Sequence, residues 1–153
     1  MGTQEAEQAQ REAVIAEAKT WLKTPHHNGA RLKGIGVDCG QFPLGVLENA
    51  GIIPHVETER YSHMFHLSQG REWYLEYCQS LGTELPKGQL PQKGDFALYK
   101  VGRVFSHGAI VLAWPIIIHS YVGVGVTIDH GDQGWMAKNK DGSPRLVKFF
   151  TLW

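Results

Sequence analysis

Apolar positions near the start of the chain recur at helical spacing. Five residues between positions 14 and 22 fall at i, i+1, i+4, i+7 and i+8, which predicts an amphipathic helix over residues 4–22. They are Val14, Ile15, Ala18, Trp21 and Leu22. Pro25 follows directly and prevents the helix from continuing, because proline lacks the backbone N–H and clashes with the preceding turn.

A loop and a second helix are predicted next. Residues 25–37 contain three glycines and are typical of a loop. A helix is then expected from Asp38 to Gly51, since Asp38 and Gln41 have capping-box spacing and glycine is favoured just after a helix end. Pro43 lies beyond the first turn of that helix, so we expect the turn to be distorted.

The residue pattern in the middle of the chain predicts one more helix, which lies between two irregular segments. Residues 52–67 show no periodicity, residues 69–81 have a helical pattern that Gly82 ends, and residues 85–94 form a connector rich in proline and glycine.

From residue 95 onward the pattern changes to alternation with a period of two. It predicts five strands, at residues 95–99, 104–112, 116–121, 125–130 and 146–151. Helices first and a strand meander second indicate an α+β fold, in which the N-terminal helices pack on an antiparallel sheet of about five strands. With 153 residues the chain suits a single domain, 1–153, with a sizeable core.

Composition and charge narrow the possible functions. Hydrophobic residues make up 42% and charged residues 20%, which is ordinary for a globular protein. The formal net charge is zero, so no basic field favours nucleic acid. Residues 1–10 lack the apolar region of a secretory signal, and no segment approaches the roughly 18 apolar residues of a membrane span. We therefore expect neither nucleic-acid binding nor membrane insertion.

Cys39 is the first candidate for chemistry because it lies where a loop should become a helix. Unpaired N–H groups and the helix dipole at such a position stabilise a thiolate, lowering its pKa from about 8.5 to roughly 3.5–7.5 in known cases. The same N–H groups can hold the oxyanion of a tetrahedral intermediate. Asp38 opposes thiolate formation by its charge, so a histidinium partner would be needed. Alone, such a cysteine is more often a small buried hydrophobe.

Two histidines on strand patterns complete a possible catalytic set. His107 should share a sheet face with Ala109 and Val111, and His119 belongs to the next strand. If the two strands form a hairpin whose loop centres on Ala113, His107 lies opposite His119, with Cβ atoms about 4.5–5.5 Å apart. A register shift of one residue would send the imidazoles to opposite faces. In the productive register His107 can act as base to Cys39 while His119 fixes its tautomer.

For the other candidate residues the sequence pattern favours structural roles. The pairs at His26-His27 and His63-x-x-His66 lack the further ligands that a zinc site needs, so no metal or other cofactor is expected. Cys78 falls in a helical pattern and is expected to be a reduced, buried thiol.

Five short motifs in order resemble the NlpC family of cell-wall cysteine peptidases, most closely the branch encoded in tailed bacteriophages, prophages and gene-transfer agents. They are Trp21-Leu-Lys-Thr-Pro25, Gly36-Val-Asp38-Cys39-Gly40, Pro91-Gln-Lys-Gly94-Asp95-Phe-Ala-Leu, Ser106-His107-Gly-Ala-Ile-Val and Ile118-His119-Ser-Tyr121. The resemblance runs from about residue 11 to residue 153, and the step from His107 to His119 matches the family's spacing between base and orienting residue.

The resemblance implies a papain-like fold and a Cys-His-His triad of Cys39, His107 and His119. It implies cleavage of peptidoglycan stem peptides, typically between γ-D-glutamate and diaminopimelate, through an acyl-enzyme on Cys39. It places substrate contacts at Asp38, His26, Gly40 and Ser106, with Asp38 able to meet an ammonium group of the stem peptide.

Two positions depart from the family pattern. The family usually has tyrosine where this chain has His26, and cellular members usually have serine where it has Gly40. A second interpretation therefore stays open, in which the chain is a structural tail-tip or assembly protein with a vestigial site. The resemblance also implies synthesis in the cytoplasm, assembly into a virion tail among other tail proteins, and action at the cell wall.

Overall fold

The computed structural model describes residues 3–58 and 71–153. In these ranges it contains three α-helices, α1 (Thr3–Lys19), α2 (Gln41–Asn49) and α3 (Trp73–Leu81). It also contains eight strands, β1 (Arg31–Leu32), β2 (Gly36–Val37), β3 (Thr83–Glu84), β4 (Phe96–Val101), β5 (Val104–Ala113), β6 (Ile116–Tyr121), β7 (Gly125–His130) and β8 (Val147–Thr151), and a 3-10 turn at Gly134–Met136. No helix in the described ranges has the length and apolar character that crossing a bilayer requires.

The strands form a six-stranded antiparallel sheet in the order β3-β8-β4-β5-β6-β7. Four consecutive strands, β4 to β7, make a meander, and β8 returns to pair with β4. The predicted α+β class is confirmed. The five predicted strands all form, with ends within two residues of the prediction, and β3 adds a short edge strand.

Each face of the sheet carries its own apolar core because strand side chains alternate between the faces. On one face Ile110 and Ile118 pack against Val14, Phe42 and Val46 of the helices. On the opposite face a second cluster forms beneath the 3-10 turn, from Ala97, Tyr99, Ala109, Val111, Ile117 and Met136.

The predicted helices form with altered ends. Helix α1 ends at Lys19, three residues early, since the next three N–H groups bond to carbonyls only three residues back. Helix α3 begins at Trp73, and residues 69 and 70 lie outside the described ranges. The predicted loop over 25–37 was partly wrong, because it contains the two-residue strands β1 and β2, paired as a hairpin. Most of the predicted irregular segment, including His63 and His66, lies outside the described residues.

Helix α2 begins three residues later than the sequence predicted. The helix begins at Gln41 instead of Asp38, so Pro43 falls inside its first turn, where an N–H has no helical partner in any case. Residues 39 and 40 form a turn that precedes the helix, which agrees with the distorted start predicted from Pro43. The predicted C-terminal glycine is confirmed, as Gly51 has φ +77° and its N–H donates to the Glu48 carbonyl.

Candidate active site

Cys39 lies between β2 and α2, at the point where the sequence placed it. The Asp38 side chain shapes this junction, since its Oδ1 accepts from the N–H groups of Gly40 (3.0 Å) and Gln41 (2.7 Å). Its Oδ2 accepts from the Gly29 N–H at 2.7 Å, and the residue is only 3% exposed. Asp38 thus satisfies the N–H groups of Gly40, the N-cap residue, and of Gln41, the first residue of α2, and ties the preceding loop to them.

This capping corrects one expectation about the helix N-terminus. The N–H groups of Gly40 and Gln41 were expected to be available to an oxyanion, but Asp38 already accepts both of their hydrogen bonds. Buried N–H groups take whichever acceptor the fold supplies, and here that acceptor is a carboxylate within the chain. An oxyanion site at Cys39 would have to use other donors.

The Cys39 thiol docks against the backbone of β5 on either side of His107. Its Sγ–H donates to the Ser106 carbonyl over 3.4 Å, and a hydrogen bond from the Gly108 N–H favours the thiolate. The Cys39 carbonyl accepts a hydrogen bond from the Tyr74 hydroxyl at 2.6 Å. Among the described residues, no hydrogen bond joins the sulfur to the His107 ring.

Gly108 is required by this close approach. A Cβ at that position would lie 2.1 Å from the Tyr74 hydroxyl and 2.2 Å from the Phe96 ring. Only a residue without a side chain lets α3 and β4 close over the strand beside His107. The glycine of the Ser106-His107-Gly108 motif therefore has a packing reason of its own.

The two candidate histidines meet as the sequence predicted. The Nε2 atom of His107 lies 2.8 Å from Nδ1 of His119, and the two ring centroids are 5.0 Å apart. His107 is 7% exposed and His119 is fully buried. The predicted contact between the two imidazoles is present.

The register that produces this contact is two residues away from the expected one. Strands β5 and β6 pair Ile110 with Ile118 and Val111 with Ile117, with a bulge before Ala113. Continuing this register places His107 opposite Tyr121, so His107 and His119 are diagonal neighbours instead of direct partners. A shift of two residues preserves the face, which is why the predicted contact survives.

Burial sets the protonation states of the site. It raises the pKa of the Cys39 thiol to about 12, and the charge of Asp38 raises it further than the Gly108 N–H lowers it. Burial also holds the pKa of His107 well below 6.5, helped by the charges of His119, His26 and Arg145. The resting site therefore consists of a neutral thiol and a neutral imidazole, because burial and the charge of Asp38 outweigh the stabilisation of a thiolate.

Aromatic side chains form one wall of the site, and the sequence left Trp135 among them as either a core residue or a groove wall. The Trp135 ring packs edge-on against His107 at 5.3 Å and against Tyr121 at 5.3 Å. The Arg145 guanidinium lies 4.6 Å from the Trp135 ring and donates to the backbone carbonyls of Trp135, Lys100 and Lys138. Trp135 is 37% exposed, so it forms the rim of the site. Aromatic content alone could not have distinguished it from a core residue.

Four further residues that the sequence singled out are His26, Gly40, Ser106 and Cys78. His26 is half-buried and near enough for its charge to lower the pKa of His107, and Gly40 is half-exposed at the start of α2. Ser106 approaches the site through its carbonyl, whereas its hydroxyl donates to the Val101 carbonyl at 3.4 Å. Cys78 is a free, half-buried thiol in an apolar cluster, and burial raises its pKa.

A cleft of about 100 Å³ opens beside Cys39 on the helix side of the sheet. Its lining is almost wholly apolar and comes from the start of α2, from α3 and from the neighbouring strands. His107 and His119 project with Val111 and Ile117 from the opposite face of the sheet. The Cys39 sulfur lies at the β5 backbone, against the Ser106 carbonyl and the Gly108 N–H.

Solved structures place this architecture among known folds. The NlpC/p60 domain of the peptidoglycan hydrolase SagA superposes with a TM-score of 0.60 over 90% of this chain and 96% of its own, at 20% identity. The peptidoglycan hydrolase RipB of Mycobacterium tuberculosis gives 0.57 over 99% and 68%, at 17% identity. The chain has the NlpC/p60 fold.

A third neighbour shows that this fold also occurs without catalysis. RipD of M. tuberculosis is described as a non-catalytic NlpC/p60 domain protein adapted to peptidoglycan binding; it matches with a TM-score of 0.56 over 94% of this chain and 98% of its own, at 15% identity. No protein-family model and no curated protein matches the sequence. The NlpC/p60 fold alone therefore does not decide between hydrolysis and binding, and the side chains of the site must do so.

Proposed function

We propose that this protein is a cysteine endopeptidase that cleaves peptidoglycan stem peptides with Cys39, His107 and His119. The observation that carries the proposal is the buried 2.8 Å contact between Nε2 of His107 and Nδ1 of His119, with the Cys39 sulfur at the backbone on either side of His107. An accidental pair of histidines on neighbouring strands has no reason to bury two ring nitrogens against each other, since burying polar groups costs free energy. The fold shared with peptidoglycan hydrolases supports this substrate class.

In the proposed reaction Cys39 attacks the scissile carbonyl and His107 accepts its proton at Nδ1. Nε2 of His107 faces His119, which leaves Nδ1 as the ring atom for this transfer. The same nitrogen then protonates the leaving amine as the acyl-enzyme forms. Water attacks the thioester with His107 acting again as base, which returns the free thiol.

The neutral resting pair requires that proton transfer be coupled to attack, since the thiol does not ionise on its own. A thiol with a pKa of about 12 is not ionised beforehand, and His107 with its lowered pKa is unprotonated and able to accept. The sulfur must first leave the Ser106 carbonyl, to which it donates at 3.4 Å. We propose that substrate binding beside Cys39 displaces this bond and brings the sulfur to the imidazole.

We further propose that the bond cleaved joins γ-D-glutamate to diaminopimelate, as the family resemblance implies. Asp38 would act on a substrate ammonium group through its charge, since three backbone N–H groups already occupy its oxygens. His26 and Gly40 flank the site at the positions where family members carry tyrosine and serine. Ser106 would contribute through its backbone.

Clearing of purified peptidoglycan tests this proposal, with a matched pair of variants. Cys39→Ala should abolish the release of soluble fragments, whereas Cys78→Ala, which removes the chain's other free thiol, should leave it unchanged. Cys39→Ala protein that still clears the wall would remove the proposal.

A vestigial site in a structural or wall-binding protein is the second candidate. It is favoured by the thiol's hydrogen bond to Ser106 in place of His107, and by the existence of a non-catalytic protein with this fold. It predicts that wild-type protein binds insoluble peptidoglycan without releasing fragments, and that Cys39→Ala binds equally well. Release of fragments by wild-type protein and not by Cys39→Ala would exclude this second candidate.

We also propose that the protein works from a phage tail, together with other tail proteins, at the host cell wall. This part rests on the resemblance of the sequence motifs. Mass spectrometry of purified tails or tail-like particles should detect the chain in constant ratio to the tail proteins. Its absence from such particles would contradict the tail assignment while leaving the peptidase proposal standing.

A further inference from the structure

The outer nitrogen of His119 has no hydrogen-bond partner within the described residues. His119 is fully buried, its Nδ1 faces His107 and its Nε2 is without an acceptor of suitable geometry. Buried ring nitrogens are normally satisfied, because an unpaired one costs about 1–3 kcal/mol. An unpartnered nitrogen behind a candidate catalytic base therefore points to a group that the sequence analysis did not consider.

Asp129 is placed to be that group. Its Oδ2 lies 3.5 Å from Nε2 of His119, an ion-pair distance just outside a well-formed hydrogen bond. Strand register explains the approach, since β7 pairs Thr127 with His119, and Asp129 lies two residues further on the same face. Its other oxygen, Oδ1, accepts from the His130 N–H at 2.8 Å, and its side chain is 53% exposed.

We infer that Asp129 is a positioning residue that sets the tautomers of both imidazoles. This inference rests on the proposed peptidase function. A carboxylate only accepts hydrogen bonds, so it holds the His119 proton on Nε2 and leaves Nδ1 as a lone pair. That lone pair accepts from Nε2–H of His107, and Nδ1 of His107 is then free to take the thiol proton. The charge of Asp129 therefore sets the direction of both hydrogen bonds, the one that His119 donates and the one that His107 donates to His119.

The surroundings of His119 offer no equivalent carboxylate contact among the described residues. Burial lowers the pKa of His119 and the charge of Asp129 raises it, and no other described charged group contributes to the shift. Asp132, in the turn after β7, is exposed, and its charge raises the pKa of Tyr99, as burial and the charge of Asp129 also do. Asp132 is therefore a matched control that removes a neighbouring charge without touching the imidazoles.

The test compares Asp129→Asn with Asp132→Asn by kinetics on a muropeptide and by nitrogen NMR of the histidine rings. Asp129→Asn should lower kcat at least about tenfold with KM unchanged, as loss of an orienting carboxylate does behind other functional histidines. The NMR spectrum should show His119 protonated on Nε2 in wild type and in Asp132→Asn, and losing that single tautomer in Asp129→Asn. Asp129→Glu should restore both properties in part.

The ring spectrum keeps this inference separate from the proposed function. Should wild-type protein not cleave any muropeptide, the peptidase proposal fails, whereas the tautomer of His119 still reports on Asp129 in the free protein. Unchanged kcat and an unchanged His119 tautomer in Asp129→Asn would overturn the inference. A loss of kcat equal in Asp132→Asn would overturn it as well.

Discussion

Two buried polar groups in this protein are built in opposite ways. The first, the Arg11 cluster, consists of Arg11, Asp95, Thr151 and Trp153. The Arg11 guanidinium donates to Asp95 at 2.8 Å, to the Lys93 carbonyl at 2.8 Å and to Thr151 at 3.3 Å, and it lies 4.3 Å from the Trp153 ring. Arg11 and Asp95 are both 2% exposed.

The second group is the imidazole pair, His107 with His119. It is buried as deeply, yet Nε2 of His119 has no hydrogen-bond partner among residues 3–58 and 71–153, and the pKa values of both rings are lowered. The Arg11 cluster satisfies its charges and ties α1 to the sheet and the C-terminus. The imidazole pair leaves donors and acceptors open. Buried polar groups that are fully paired serve stability, and those left partly open are where chemistry is expected.

The largest expected effect separates activity from stability at the imidazole pair. His107→Gln should lower kcat by about 10²- to 10⁴-fold, since it removes the proposed general base, while unfolding remains cooperative. Muropeptide kinetics and thermal unfolding measure the two effects. His130→Gln changes an exposed histidine and should leave both unaltered. Equal activity of the two variants would contradict the assigned role of His107.

A substitution in the Arg11 cluster should lower stability and leave activity unchanged. Arg11→Met should lower the free energy of unfolding by about 3–5 kcal/mol, because Asp95 is left buried and uncompensated. Denaturant unfolding measures this, with Arg103→Met, an exposed arginine, as control. Below the unfolding transition kcat should stay within the wild-type range. A loss of kcat in folded Arg11→Met protein would show that the two regions are coupled.

These two regions also show what the sequence could predict. The strands and the shared face of His107 and His119 follow from period-two alternation, which tolerates a register shift of two residues. Asp129 could not be found, because it joins the site through pairing of β6 with β7 and carries no motif. The Arg11–Asp95 pair spans 84 positions, and nothing in either local pattern indicates it.

Acid should destabilise the fold through the imidazole pair. Both histidines have pKa values below 6.5 in the folded protein, mainly because of burial, so the unfolded chain binds protons first as the pH falls. Their contribution to stability is complete above pH 6.5 and is lost as pH falls through the folded pKa values. The loss should approach about 1.4 kcal/mol per pH unit for each histidine.

Comparison with the double variant His107→Gln/His119→Gln isolates this effect, because the remaining groups titrate alike in both proteins. Its unfolding free energy should fall less steeply as the pH is lowered below 6.5. Parallel curves for the two proteins would show that the folded pKa values are not lowered.

The smallest effect is expected at an exposed ion pair. Lys148 and Glu84 approach to 3.2 Å on neighbouring strands, with 32% and 42% of their side chains exposed. Glu84→Gln should change the free energy of unfolding by less than about 1 kcal/mol, since water screens the pair. If Glu84→Gln lowered the free energy of unfolding as much as Arg11→Met, burial would not determine how strongly an ion pair stabilises this protein.

The most direct test of the account is muropeptide mass spectrometry with wild type and Cys39→Ala side by side. The account predicts that wild-type protein converts a stem peptide into two fragments that part between γ-D-glutamate and diaminopimelate, and that Cys39→Ala yields neither. Identical digests from the two proteins, whether both cleaved or both intact, would contradict catalysis by Cys39.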